Sequence, residues 1–166
     1  MDTNATGVVV VVEIPKGSRN KYEIDHETGA VWLDRHLFTA TQYPADYGFV
    51  PDTLSEDGDP LDALVLLDEP THPGVHIRVR VIGVFWMVDD AGPDAKLLCV
   101  PDSDPRWDHL QDLADVPNHL REEIAHFFEI YKALEPAKHT QVDAWRDRDE
   151  ALRVLADARR RHAETH

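Results

Sequence analysis

Cysteine is nearly absent: Cys99 is the only one in 166 residues, so no disulfide can form within the chain and a reducing compartment suits it. Long hydrophobic runs are absent as well. The first apolar run, Val8 to Val12, is far too short to cross a bilayer, and Met1 to Gly7 ahead of it lacks the basic residues that open a secretory signal. These absences give the expectation of a cytoplasmic protein with no membrane partner. Basic residues are scarce too: 17 Lys and Arg stand against 32 Asp and Glu, a formal net charge of −15. Such a field repels the backbone of nucleic acids, and no basic stripe with interleaved aromatics offsets it. The one dense basic run, Arg159-Arg160-Arg161, falls near the C-terminus of an expected helix, where cations complement the helix dipole. No His-Glu-x-x-His pattern, Gly-x-Ser-x-Gly elbow or phosphate-cradling glycine-rich loop occurs, which argues against a zinc hydrolase, a serine hydrolase and a P-loop protein.

What is present divides into two parts within one expected domain, residues 1–166. The first two-thirds reads as short strands and turns. Val8 to Ile14 is β-branched, and Pro15 with Lys16-Gly17-Ser18 ends it. Lys21 to Ile24 and Ala30 to Leu33 flank Asp25-His26-Glu27-Thr28-Gly29, a hairpin loop. Ala63 to Leu67 suits a buried strand, His76 to Val88 is a long β-rich stretch with a bulge or bend expected at Gly83, and Lys96 to Val100 follows another turn. Many short strands without intervening helices predict a closed barrel or a sandwich. The last third turns helical. Leu120, Ile124, Phe127, Phe128 and Tyr131 mark one face of an amphipathic helix that starts at Asp115-Val116-Pro117 and stops at Pro136. Trp145, Leu152 and Leu155 mark a second, highly charged helix. The expected class is α+β, a small barrel with two C-terminal helices against it.

The segment richest in chemistry is Glu56-Asp57-Gly58-Asp59-Pro60-Leu61-Asp62. Four carboxylates in seven residues repel one another, and a bound cation relieves that. Gly58 and Pro60 force a turn from which Asp57, Asp59 and Asp62 can converge, and hard oxygen ligands select Mg²⁺, Mn²⁺ or Ca²⁺ over zinc. A solvated surface turn explains the same residues, and the segment alone does not choose. A helix–loop–helix calcium site fails on spacing, because the positions that require Gly and Glu hold Asp62 and Asp68. A haloacid-dehalogenase arrangement fails as well, since the apolar strand follows the aspartate pair instead of preceding it. A second acidic turn, Asp89-Asp90-Ala91-Gly92-Pro93-Asp94, lies between two apolar strands, and its carboxylates could project from the same barrel end. Lys21, Arg35, Lys96, Tyr43, Tyr47, Tyr131 and Lys132 are candidate donors to phosphate oxygens, though each taken singly also reads as surface or core. His26 reads as exposed in its hairpin loop, and Cys99 as a small buried thiol.

Taken in order, Val12-Glu13-Ile14-Pro15, Asn20-Lys21-Tyr22-Glu23, Leu33-Asp34-Arg35, Tyr43-Pro44-Ala45-Asp46-Tyr47-Gly48, Asp57-Gly58-Asp59-Pro60-Leu61-Asp62, Met87-Val88-Asp89-Asp90, Asp94-Ala95-Lys96 and His126-Phe127-Phe128-Glu129-Ile130-Tyr131-Lys132 resemble the family I soluble inorganic pyrophosphatases, with an actinobacterial flavour at His26. The resemblance implies a five-stranded barrel of the oligonucleotide-binding type with flanking helices, and hydrolysis of pyrophosphate to two phosphates. It implies several Mg²⁺ ions, with Mn²⁺ as a substitute and Ca²⁺ as an inhibitor, and a homohexamer. By the same resemblance Asp57, Asp62 and Asp94 hold the tighter metal, Asp89 with Asp94 a further one, and Glu13 and Glu23 complete the metal shell. Asp59, or by another labelling Asp94, is the base toward a water that bridges the metals. Lys21, Arg35, Tyr47, Lys96, Tyr131 and Lys132 match the phosphate-binding positions, with Tyr43 in support. Asp90 and Ala91 depart from many relatives, which carry Glu and sometimes His there, and this leaves metal preference and pH optimum open.

Overall fold

The computed structural model describes residues 7–89, 92–135 and 140–165. The leader Met1 to Thr6, the turn residues Asp90 and Ala91, and Pro136 lie outside the described residues.

Valine-rich β1 (Val8–Ile14) is covered on both faces, as its β-branched run requires. It pairs antiparallel with β4 (Asp46–Val50), which pairs antiparallel with β5 (Leu61–Val65). Strand β5 lies parallel to β7 (Gly92–Pro101), and β7 is antiparallel to the long β6 (His76–Asp89). The first half of β6 returns to β1, Val8 opposite Val79 and Val11 opposite His76, so five strands close into a barrel. The expected bulge in β6 is present: the register with β7 shifts between Val81 and Gly83. Strands β2 (Asn20–Ile24) and β3 (Val31–His36) form a separate hairpin around the Asp25–Gly29 loop.

Helix α1 (Asn118–Ile130) begins just after Pro117, as expected, and buries Ile124, Phe127 and Phe128. It ends at Ile130, before Pro136. A turn over residues 131–135 follows, in which the Ala133 N–H donates to the Ile130 carbonyl (2.9 Å) and the Glu135 N–H to the Lys132 carbonyl (3.0 Å). Trp145 does not start the second helix. It lies in β8 (Thr140–Arg146), which pairs with the far half of β6, and its ring meets Phe85 at 4.8 Å. Helix α2 (Arg148–Thr165) then packs Ala151, Leu155 and Ala158 on the barrel at spacings of four and three. The basic run on α2 has particular partners: Arg160 pairs with Asp157 at 3.0 Å, and Arg161 Nη1 donates to the Leu54 carbonyl at 2.6 Å. No helix among the described residues is long and apolar enough to cross a membrane.

Two apolar clusters result. One gathers Ile14, Tyr43, Leu64, Phe85 and Leu98 beneath α1, and the other gathers Val10, Ala63, Leu97 and Cys99 beneath α2. Because strand residues alternate faces, Asp62, Asp94 and Lys96 share the α1 side, while Leu61 and Ala95 belong to the α2 side.

Candidate active site

Glu13 sits where β1 loses register with β4, since Val12 opposes Gly48 but Ile14 opposes Tyr47. A bulge of this kind re-aims a side chain. Here the Glu13 carboxylate reaches the hairpin, where its Oε2 accepts the Ile24 N–H at 2.9 Å. Gly48 makes the crossing possible, because a Cβ there would stand 1.9 Å from the Val11 carbonyl oxygen. Glu13 and Glu23 then face Asp59 and Asp62 across a cleft of about 290 Å³, whose walls include His26 and Phe49. The His26 ring stands edge-on to Phe49 at 4.8 Å.

Burial pushes Glu13 up to about 7, and the facing Asp62 and Glu23 add to this against the downward pull of the Ile24 amide. Burial likewise raises Asp62 to about 6, with Asp94 adding and Lys96 opposing. Asp62 therefore belongs to a second constellation. The Lys96 ammonium, only 2% exposed, donates to Asp94 at 2.9 Å, to Asp62 at 3.1 Å and to the Tyr47 hydroxyl at 2.7 Å. It also lies 5.0 Å from the Tyr47 ring centroid and 5.1 Å from that of Phe128. Burial alone would lower Lys96, but Asp62, Tyr47 and Asp94 hold it well above the usual lysine range. The protein thus carries a cation of its own between two of the expected metal ligands.

Asp59 lies in the cleft wall, and its N–H is held by Asp57 Oδ1 at 3.0 Å. Asp57 is not among the residues lining the cleft. The side chain of Asp89 lies outside the described residues; its backbone closes β6 opposite Gly92. Tyr43 is buried against Tyr47 (5.6 Å) and Phe127 (4.6 Å), and Tyr131 against Phe127 (5.2 Å) and Phe128 (5.4 Å). Tyr43 and Tyr131 therefore also serve the core, and Lys132 Nζ stands 5.2 Å over the Tyr131 ring. Lys21 and Arg35 face each other across the hairpin, bridged by Asp34, and Arg35 also meets Glu135. The sequence reading passed over Asp34 and Glu135 as functional residues. It left His26 in solvent, whereas His26, though exposed, borders the cleft. Its position three residues after Glu23 at the hairpin tip and the actinobacterial resemblance there were the available signals for His26.

The family model described as "Inorganic pyrophosphatase" matches residues 10–163. This chain belongs to the inorganic pyrophosphatase family. An inorganic pyrophosphatase of Streptomyces coelicolor is 64% identical over 142 residues, covering 86% of this chain and 87% of that one. One of Corynebacterium efficiens is 60% identical over 155 residues, covering 93% and 98%. The crystal structure of inorganic pyrophosphatase from Thermus thermophilus superposes with a TM-score of 0.95 at 50% identity, covering 98% of this chain and 95% of that one. The barrel with flanking helices expected from the sequence is therefore the family fold, and membership implies dependence on a divalent metal.

The residues present fit such a metal. Every candidate ligand on the cleft is a hard carboxylate oxygen, and burial and mutual repulsion have pushed two of them, Glu13 and Asp62, up in a way a cation would reverse. Among the described residues no three such side chains converge closely enough to enclose an ion unaided.

Proposed function

We propose that this pyrophosphatase hydrolyses inorganic pyrophosphate to two orthophosphates at the cleft between the hairpin and the Asp57–Asp62 loop, with several Mg²⁺ ions. The observation that carries the reading is the meeting of Glu13, Glu23, Asp59 and Asp62 on one cleft, with Asp62 shared with the Lys96–Asp94–Tyr47 cluster. Asp57, Asp62 and Asp94 are the residues to hold the tighter metal, Asp89 with Asp94 to hold another, and Glu13 and Glu23 to complete the shell partly through water. When bound, the metals neutralise the substrate and lower the pKa of the attacking water toward neutrality.

Asp59 accepts the proton of that water, as its place in the cleft wall and its fixed backbone allow. Asp94 is the second candidate for this role, but its Oδ2 is engaged by Lys96 at 2.9 Å, which favours Asp59. Lys21 and Arg35 on the hairpin and Tyr131 and Lys132 after α1 neutralise the phosphates and the leaving group. Tyr47 donates its hydroxyl from a ring fixed by Tyr43 and Lys96, and Lys96 places its charge at the inner wall. A cytoplasmic location and assembly as a homohexamer belong to the same reading.

The test is phosphate release from pyrophosphate at neutral pH with millimolar Mg²⁺, beside EDTA and excess Ca²⁺. Release abolished by EDTA and blocked by Ca²⁺ is expected, and Mn²⁺ in place of Mg²⁺ should sustain it. A folded, Mg²⁺-binding protein that releases no phosphate would sink the reading and leave a cation-binding relative without catalysis.

A further inference from the structure

Lys21 and Arg35 are directly opposite each other in the β2–β3 hairpin. Like charges in that relation destabilise a strand pair. The register shifts beside them, leaving Asp34 without a cross-strand partner. Such a bulge turns the side chain aside. Asp34 Oδ2 accordingly meets Arg35 Nη1 at 2.6 Å and Lys21 Nζ at 3.4 Å. Asp34 thus offsets both cations, with Glu23 Oε1 a further 3.8 Å from Lys21 Nζ.

Arg35 has a second carboxylate all the same. Glu135 Oε2 accepts from Arg35 Nη2 at 3.1 Å, and the Glu135 side chain is only 6% exposed. By charge alone this contact works against the binding of an anion, because it cancels part of the field that Arg35 offers to phosphate. A buried carboxylate beside a guanidinium is also a weak contributor to net stability. Its distinctive effect is geometric, since two acceptors on different nitrogens fix the plane of the fork. The third guanidinium nitrogen, Arg35 Nε, is buried with no acceptor among the described residues.

Glu135 stands on the turn that carries Tyr131 and Lys132, and its own N–H closes that turn on the Lys132 carbonyl at 3.0 Å. The Arg35–Glu135 contact therefore joins the two elements that present phosphate-binding cations, the hairpin and the end of α1. We propose that Glu135 is a positioning residue for phosphate binding: acting through Arg35, it fixes the guanidinium plane and registers the Tyr131–Lys132 turn against the hairpin. The proposal rests on reading Arg35, Tyr131 and Lys132 as contacts to the substrate.

The variant is Glu135→Gln in the full chain, which keeps volume and removes charge. Misplacing a binding group by an ångström costs on the order of 100-fold in rate, so kcat is expected to fall about 10- to 100-fold. KM for pyrophosphate should hold or fall, because a negative charge beside Arg35 is gone. In an Arg35→Ala background the same change should alter kcat less than about twofold, as groups acting as one unit do. A kcat within about twofold of the parent overturns the proposal, as does an equal further loss in the Arg35→Ala background. A fall in thermal stability with kcat and KM unmoved leaves Glu135 a purely structural residue and overturns it too.

A second readout needs no turnover. In ¹⁵N-labelled protein the Arg35 Nη signals should be resolved in the parent and averaged in Glu135→Gln. A guanidinium equally ordered in both refutes positioning. If the parent releases no phosphate, the proposed function fails, and this spectroscopic comparison still decides the role of Glu135.

Discussion

Replacing Lys96 with methionine tests the idea that the chain supplies its own cation where metals are to bind. The side chain keeps most of its length and loses its charge. Lys96 is 2% exposed and holds Asp94 (12% exposed), Asp62 (25%) and the Tyr47 hydroxyl. Removing one partner of a buried pair costs about 3–5 kcal/mol, because the charge left behind has lost its counter-ion and has little water to replace it. For a chain of this size that is a fall in Tm of about 6–20 °C, at about 2–4 °C per kcal/mol. The loss depends on pH in a fixed direction. Asp62 already titrates at about 6 in the fold, above the ordinary 3.8, so the fold disfavours its ionised form and stability drains away as pH rises through that window. Without Lys96 that pKa climbs further. The penalty should be largest near pH 8 and shrink by more than half near pH 5, where the stranded carboxylates take up protons. Mg²⁺ should also shrink it, since a divalent ion at Asp62 and Asp94 replaces the missing charge. The assay is urea unfolding at fixed protein concentration, at both pH values, with EDTA or Mg²⁺. A penalty below about 1 kcal/mol in EDTA at pH 8, or one that neither acid nor Mg²⁺ reduces, would refute the reasoning.

Three further outcomes are expected. Asp59→Asn should lower kcat by about 10²–10⁴, the usual worth of a general base, while calorimetry still shows Mg²⁺ binding; normal turnover removes Asp59 from the role. Glu13, raised to about 7 by burial and neighbouring acids, is largely protonated at pH 6 and ionised at pH 8, so the Tm gain on adding Mg²⁺ should grow across that interval. Glu13→Gln should flatten the growth, and a gain equally steep in both proteins would place the titration elsewhere. Gly48→Ala forces a Cβ to within 1.9 Å of the Val11 carbonyl oxygen, and the strands must part by more than an ångström. A loss of about 3 kcal/mol or more is expected by thermal unfolding, and an unchanged Tm would show that β1 and β4 do not cross so closely.

The elements that sequence made legible are those whose cause is local. Val8 to Ile14 is β-branched at every position but Glu13 and can hardly be anything but a buried strand, and the turn residues around Asp25–Gly29 mark the hairpin without tertiary help. Gly83 announced the bulge in β6 for the same reason. Strand β8 was not legible. Thr140 to Arg146 has no apolar period of its own and becomes a strand because the far half of β6 offers an open edge. Trp145 thereby looked like the start of a helix that begins only at Arg148. The end of α1 was misplaced similarly: Pro136 is the visible stop, but the chain leaves the helix at Ile130 to form the turn that carries Tyr131, Lys132 and Glu135.

The site divides along the same line. Asp57 to Asp62 stood out in sequence because like charges crowd on a Gly-Pro turn, and the structure brings Asp59 and Asp62 of that segment to the cleft. Glu135 did not stand out, because its meaning depends on Arg35, 100 residues away. Distance also hid the way charge is balanced. The sequence suggests an acidic site awaiting cations, whereas the fold pairs the inner carboxylates Asp62 and Asp94 with Lys96 and places the outer ones, Glu13, Glu23 and Asp59, along the cleft. One of the two inner negative charges is thus offset before any metal arrives, which helps the barrel close around buried charge. Among the outer carboxylates Glu23 has Lys21 at 3.8 Å, while Glu13, pushed up chiefly by burial, holds its proton to about pH 7. Asp62 belongs to both sets. Lys96 engages only Oδ2 of Asp62, so Oδ1 would remain for a metal at the proposed site, and the ammonium also has Tyr47 and Asp94 within hydrogen-bonding reach. Under the proposed function, metal binding would therefore leave Lys96 with partners, so that one lysine can serve both the metal-free fold and the inner wall of the proposed site.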